Sequence, residues 1–202
     1  EDDFFDFYKN IYEDFFNSIS CQKFTDFILY IIDNSPSKES DILINNYGLK
    51  HNLTNQIKYL PSEGNIGVAA GNNVGILAAQ NNNCEYILLS NNDILIKDEY
   101  LFGNMILEIE SNKMEILIPK IHFYNSNEIW FISGYINKFR AKCFHTNNYK
   151  IDSGQFDFIK ECTYAPTCFM LFHNSVFQKV GNMDEKYLVL INQQEEIQLN
   201  TC

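Results

Sequence analysis

The stretch that most constrains this chain runs from Gly64 to Asp93, GNIGVAAGNNVGILAAQNNNCEYILLSNND. A turn rich in glycine and asparagine, 65–73, leads into a small-residue helix predicted over 73–80. An apolar run follows, Tyr86 to Leu89, and breaks at Ser90-Asn91-Asn92-Asp93. Glycine lets backbone approach a ligand closely, and the N–H groups of such a turn and of a helix start favour anions. A carboxylate just past the C-terminal end of a buried strand sits where open α/β sheets keep their ligands. Together these features point to a site for a nucleotide phosphate and a metal ion. The glycines at 67, 71 and 75 are four apart, so the turn is not a GxGxxG fingerprint, and it lacks the Lys-Ser/Thr pair of a P-loop. The competing reading is that Gly67 and Gly71 serve only close helix packing.

The flanking segments alternate in the same way. Residues 1–10 read as an edge strand or a leader, and 11–20 as an amphipathic helix with Ile11, Phe15, Phe16 and Ile19 at helical spacing. Phe27 to Ile32 is an unbroken apolar run that fits a strand covered on both faces. It ends in Asp33-Asn34-Ser35-Pro36, where a carboxylate can accept hydrogen bonds from a base or ribose, although these residues also favour turns. A helix start over 37–46 and a strand at 57–60 complete the order strand–helix–strand–turn–helix–strand. That order predicts a parallel sheet with right-handed crossovers. Beyond Asp93, the pattern predicts a helix over 99–111, a short strand at 116–118 and a turn at 125–127. A strand follows at 129–132, ended by Ser133-Gly134, then a long loop over 139–157, an apolar segment at 164–172 and a short helix at 174–180.

Charge narrows the ligand. The net charge of −11 argues against a nucleic-acid backbone or an anionic membrane surface as the main partner. A phosphate ligand on so acidic a protein calls for a divalent cation. Six cysteines include no CxxC and no zinc-like spacing with the four histidines, so free thiols in a reducing compartment are expected. No apolar run reaches the length of a membrane span and no signal-peptide pattern opens the chain, which makes a cytoplasmic location the default. The histidines are scattered and no G-x-S-x-G elbow is present, so nucleophilic triad chemistry has no sequence support.

Taken as an ordered set, the motifs carry a resemblance. NxGxAxGNNxGI followed by an apolar run into Asn91-Asn92-Asp93 resembles the family 2 glycosyltransferases with a GT-A fold, in their rhamnosyltransferase-like branch. The Asp33-Asn34-Ser35-Pro36 strand end, Pro119-Lys120-Ile121 and the Ile129-Trp130…Gly134 element fit the same pattern. So do Tyr164 to Leu171 and Ser175 to Tyr187, and the likeness spans about residues 11–190.

The resemblance implies a single α/β domain over 1–202, GT-A-type and Rossmann-like, with a mostly parallel central sheet flanked by helices and without the usual C-terminal extension. It implies an inverting glycosyltransferase of hexosyl type in polysaccharide biosynthesis. The partners implied are a nucleotide-diphosphate sugar and a glycan or lipid-linked acceptor, with no nucleic acid and at most peripheral membrane association. Asp33, Asn34, Ser35, Asn65, Gly67, Gly71, Asn72, Asn92 and Asp93 would bind the nucleotide sugar, and Asp93 would hold a Mg or Mn ion. Asn91 replaces the first carboxylate of a DxD pattern. The general base falls on Asn192 and Gln193 in an ungapped reading and on Glu195 and Glu196 with a three-residue insertion. Thr167 stands where the family usually has glycine, and acids interrupt the first strand. The alternative is a catalytically impaired nucleotide-sugar-binding module with the same fold.

Overall fold

The computed structural model describes residues 2–140, 142–186 and 197–199, the first nine and the last three by their backbone alone. The chain forms two interleaved compact units. One comprises 1–23, 88–171 and 194–202; the other comprises 24–87 and 172–193.

In the second unit, β1 (Leu29–Asp33) pairs in parallel with β2 (Ile57–Pro61), Leu29 opposite Ile57 and Asp33 opposite Pro61. The intervening α2 (Ser40–Lys50) supplies the crossover that a parallel pair requires. Next comes α3 (Val68–Asn81), which packs on β1 through its small residues: a Cβ added at Gly75 would meet Ile32 at ordinary contact distance. The predicted helix over 73–80 therefore begins five residues earlier, inside the segment read as a turn. Helix-poor Gly71, Asn72 and Asn73 are held there by tertiary bonds that outweigh their propensity. Asn73 is buried; its Nδ2 donates to the Met183 carbonyl at 2.9 Å and its Oδ1 accepts from the Met183 N–H at 2.9 Å.

The chain leaves this unit within β3 (Tyr86–Ser90). The first unit then adds β4 (Ile94–Ile96), α4 (Leu101–Asn112), β5 (Ile116–Leu117), β6 (Ile121–Phe123), β7 (Ile129–Phe131), β8 (Ser133–Asn137) and β9 (Lys142–Thr146). After these come β10 (Phe169–His173), α5 (Ser175–Val180), which lies in the second unit, and β11 (Ile197–Leu199). The opening helix α1 spans Asp2–Ser20, so the edge strand that was one reading of 1–10 does not form, and residues 2–10 are helical. Phe15, Phe16 and Ile19 of α1, Ile94 and Ile96 of β4, and Leu101, Met105 and Ile109 of α4 are all buried, as their spacing requires.

The expected mostly parallel central sheet is not what forms. Among the described residues the strands make four groupings: β1-β2, β3-β10-β5, β4-β11-β6-β7 and β8-β9. Besides β1–β2, the pair β4–β11 is parallel, while β6–β11, β6–β7 and β8–β9 are antiparallel. Connection length explains the difference, since β6 and β7, and β8 and β9, are joined by links too short for a crossover. The loop expected over 139–157 contains β9, and Ser133-Gly134 opens β8 instead of ending a strand. Gly134 is required by close approach: a Cβ there would lie 2.7 Å from the Tyr164 carbonyl and 2.5 Å from its ring.

One polar cluster fixes this unit internally. Lys120, with a side chain only 4% exposed, pairs with Asp152 and Asp157, and His122 Nε2 lies 2.8 Å from the same Asp152. Burial pushes the Asp152 carboxyl up, but Lys120, the Gly154 N–H and His122 together outweigh it, and its pKa is lowered overall. A depressed folded pKa gives stability that is present above the ordinary aspartate range and lost as pH falls through the folded value. Lys120→Met should therefore lower unfolding stability by about 3 kcal/mol at neutral pH, because it leaves Asp152 buried without its cation. Urea denaturation of both proteins at pH 7 and at pH 3 checks this, the gap narrowing at the lower pH.

Candidate active site

Seven of the predicted donor-binding residues lie in the second unit, and most of them share one hydrogen-bonded corner. At the end of β1, Asp33 Oδ1 accepts the Ser35 N–H at 2.9 Å, an Asx turn, and Oδ2 accepts the Tyr59 hydroxyl at 2.9 Å. Burial first, then this bond to Asp33, raises the Tyr59 pKa, so Tyr59 stays a protonated donor. Asn34 Nδ2 donates to the Gly67 carbonyl at 3.1 Å, and a Cβ on buried Gly71 would come within 3.1 Å of the same amide. Asn65 Oδ1 accepts the Gly67 N–H at 3.0 Å. The strand end and the glycine turn are thus one structural feature, joined through Asn34.

Gly67 is the N-cap of α3 at φ 86° and ψ 166°, a conformation open to glycine and strained for other residues. It offers no capping side chain, and the first turn of α3 holds no acid, so the first-turn N–H groups have no competing anion of their own. Asn72 reaches back instead, its Nδ2 lying 3.5 Å from Met183 Sδ. Sequence reading missed the neighbour that matters for the architecture. Asn73, besides its two bonds to Met183, donates to Glu185 Oε1 at 2.7 Å. An asparagine read as a turn former gave no sign of that role.

Asn92 and Asp93 belong to the first unit, in the three-residue link between β3 and β4. The Asn91 N–H donates to the Cys168 carbonyl at 2.8 Å, which anchors the link on the segment entering β10. Asn91 and Asn92 are exposed, whereas Asp93 is half-buried. Its Oδ1 is out of reach of solvent and has no hydrogen-bond partner. Burial raises the Asp93 pKa, opposed by its own backbone N–H and by the Asn91 side chain. Burial, and then the charge on Asp93, push the Cys168 thiol up to about 12, so it stays a protonated, inert thiol. An orphaned carboxylate oxygen is an unusual feature of a folded protein, and it suits a cation. No cluster of three or more histidine, cysteine or acidic side chains able to hold a metal occurs among the described residues. Any ion at Asp93 must draw its other ligands from elsewhere.

Glu195 and Glu196 lie outside the described residues. Thr167 is exposed and Trp130 half-buried, its ring edge-on to His145 at 5.6 Å. A cavity of about 590 Å³ in the second unit lies at the C-terminal end of α3, lined by Gln80, Cys84, Glu85 and His173 among others. None of the predicted site residues lines it. Asn174 closes that corner by bonding the Cys84 and Glu85 carbonyls at 3.0 and 2.8 Å.

The profile of glycosyl transferase family 2 matches residues 9–181. The chain belongs to that family. Its family supports glycosyl transfer as the activity, with a nucleotide-sugar donor and an acceptor to be bound, and members commonly use a divalent cation. No curated protein matches the chain. Among the described residues, no helix of this glycosyltransferase is long and apolar enough to cross a membrane.

The Asp93 carboxylate sets a stability prediction. A raised folded pKa means that the carboxylate favours the folded state below the ordinary aspartate range, and that this advantage is lost as pH rises through the folded value. Asp93→Asn should therefore be more stable than the parent at pH 7, by about 1 kcal/mol. The difference should close as pH falls below about 4, where an unfolded aspartate is protonated. Thermal unfolding across that range checks the sign. Gly67→Ala should cost about 1 kcal/mol through its left-handed backbone at every pH.

Proposed function

We propose that this chain is an inverting hexosyltransferase that moves a sugar from a nucleotide-diphosphate donor to a hydroxyl of a glycan or lipid-linked acceptor in polysaccharide biosynthesis. The observation that carries the proposal is the buried, partnerless Oδ1 of Asp93 at a strand end of a family 2 glycosyltransferase. An acidic side chain left short of partners destabilises the empty protein, and the natural compensation is a ligand of positive charge.

In this reading Asp93 would hold a Mg or Mn ion, with its remaining ligands supplied from outside the described side chains. The bound ion supplies positive charge against the negative charge that builds on the departing diphosphate. Asp33, Asn34 and Ser35 take the base and ribose, and Asn65, Gly67, Gly71 and Asn72 present backbone and amide groups to the nucleotide. Asn92 lies beside the ribose and diphosphate. Glu195 or Glu196 accepts the proton of the attacking hydroxyl as its oxygen bonds to the sugar C1 and the nucleotide diphosphate leaves from the opposite face.

A second reading keeps donor binding and drops turnover. It is favoured by one observation: the family match ends at residue 181, before either glutamate, and an ungapped reading puts Asn192 and Gln193 at the base positions.

Calorimetric titration of UDP, GDP and dTDP with and without Mn²⁺ tests the donor site. One nucleotide should bind in a Mn²⁺-dependent way, and Asp93→Asn should weaken that binding at least about tenfold, an effect of the size expected for lost charge-assisted contacts. Turnover of a donor-sugar panel then separates the readings. For an active enzyme, Glu195→Gln or Glu196→Gln should lower kcat by about 10²–10⁴-fold and leave nucleotide binding unchanged. Donor binding without turnover in the parent supports the binding module.

A further inference from the structure

The β8–β9 hairpin stands apart from the rest of this acidic chain. Residues 129–151 hold Lys138, Arg140, Lys142 and Lys150 and no aspartate or glutamate, in a protein with 15 basic and 26 acidic residues. Arg140 is the only arginine in the sequence. Three of the four cations cluster at the hairpin tip, Lys138-Phe139-Arg140 and Lys142, and all three are exposed. None of them makes an ion pair among the described residues. Between them Phe139 is fully exposed, at 103%.

Each face of the strands leading to the tip carries one apolar pair. Tyr135 lies opposite Phe144 and Ile136 opposite Cys143 in the antiparallel register. Successive residues of a strand point to opposite faces, so these two pairs occupy different sides of the ribbon. Ile136 is 44% exposed and Phe144 46%. Further exposed apolar side chains, Tyr149 and Ile151, follow within a few residues of β9. On one face Tyr135 is partly covered, its hydroxyl on the Glu161 carbonyl and Lys160 over its ring. Phe144 and, on the other face, Ile136 stay exposed, and exposed apolar side chains grouped in this way mark interaction sites.

The tip itself is pinned. Asn137 Oδ1 accepts the N–H groups of Phe139 and Arg140 at 3.1 Å each, and the Arg140 N–H also reaches the Asn137 carbonyl at 3.2 Å. At its base the ribbon is fastened by a Ser133–Thr146 hydroxyl pair and by the Thr163 and Tyr164 N–H groups on the Gly134 carbonyl. Phe139 and Arg140 are therefore both tied to Asn137 at the end of β8.

We infer that the β8–β9 hairpin is a docking wedge for an anionic lipid bilayer, with Phe139 entering the interface and Lys138, Arg140 and Lys142 lying among the headgroup phosphates. Charge complementarity selects the occupant. The tip is locally cationic while the chain as a whole is strongly anionic, so the protein would meet a negative surface by this end and be repelled elsewhere. One apolar side chain ringed by cations matches the layered order of a membrane interface, with apolar groups below the phosphates. Nucleic acid is the poorer fit, since it asks for a basic groove along which several bases stack, and the tip offers one ring. The inference does not depend on donor turnover.

Vesicle co-flotation of the full chain provides the test, using phosphatidylcholine alone and phosphatidylcholine with about 30% phosphatidylglycerol. The parent should float with the anionic vesicles only, and raising salt from about 0.1 to about 0.5 M should release it. Arg140→Glu and Phe139→Ala should each cut the partition coefficient by at least about fivefold. Both sites are exposed, so the melting temperature and the nucleotide affinity should stay at parental values. Three results would overturn the inference: equal flotation with neutral and anionic vesicles, parental flotation of both variants, or no flotation at all. A Phe139-dependent dimer in sedimentation, or Arg140-dependent binding of a single-stranded oligonucleotide without vesicle binding, would assign the hairpin to a different partner.

Discussion

A negative charge held away from water without a full set of partners is the constraint on which the functional reading of this glycosyltransferase depends. Asp93 sits in a link of three residues between two strands, with one carboxylate oxygen unbonded and its pKa raised by burial. A protein selected for stability alone would pair that oxygen or replace the residue. Asn91 in the same link contributes an amide where a second carboxylate would have added repulsion. The link can therefore carry one strong acidic ligand at modest cost, which suits an ion that arrives already bound to phosphate oxygens.

The donor-side corner obeys a different rule, in which backbone geometry governs and charge is secondary. Gly67 can adopt its positive φ because it has no Cβ, and the same residue is held from two sides, by Asn34 on its carbonyl and Asn65 on its N–H. These bonds set where α3 starts. The burial of Asn73 against Met183 then fixes how the helix continues. Asparagine recurs here because its short amide can donate and accept at once, so a single side chain can satisfy a backbone carbonyl and a backbone N–H on another segment.

What was legible in the sequence follows from this division. Runs whose periodicity reports burial were the legible ones, because apolar burial is a local pattern with a long-range cause. Tyr86-Ile87-Leu88-Leu89 gave β3 to within a residue, and Phe15-Phe16…Ile19 gave the C-terminal half of α1 but not its start at Asp2. The start of α3 was hidden because its asparagines read as turn formers, and the bonds that keep them helical come from about 110 positions away. Strand β9, Lys-Cys-Phe-His-Thr, was hidden because it owes its extended form to pairing with β8 and not to an alternating pattern of its own. The Lys120 cluster was unreadable for the same reason, its acids lying 32 and 37 positions downstream in a segment that looks like loop. The sheet arrangement failed at the level of connection length. Alternating elements suggested a parallel sheet, yet the short links β6–β7 and β8–β9 permit only antiparallel neighbours.

Net charge misleads when it is averaged over a whole chain. A value of −11 excludes a polyanion as a partner for most of this surface, but it does not describe the hairpin tip, where three cations surround a bare phenylalanine. Screening confines each charge to roughly a Debye length, about 8–10 Å at ordinary salt. A few cations at the end of a ribbon are thus felt locally while the acidic remainder is felt at a distance. The acidic remainder would then orient the molecule by repelling the negative surface everywhere except at the tip. If the acceptor is lipid-linked, as one form of the proposed function has it, that division would let one short hairpin bring the chain to the bilayer that holds it.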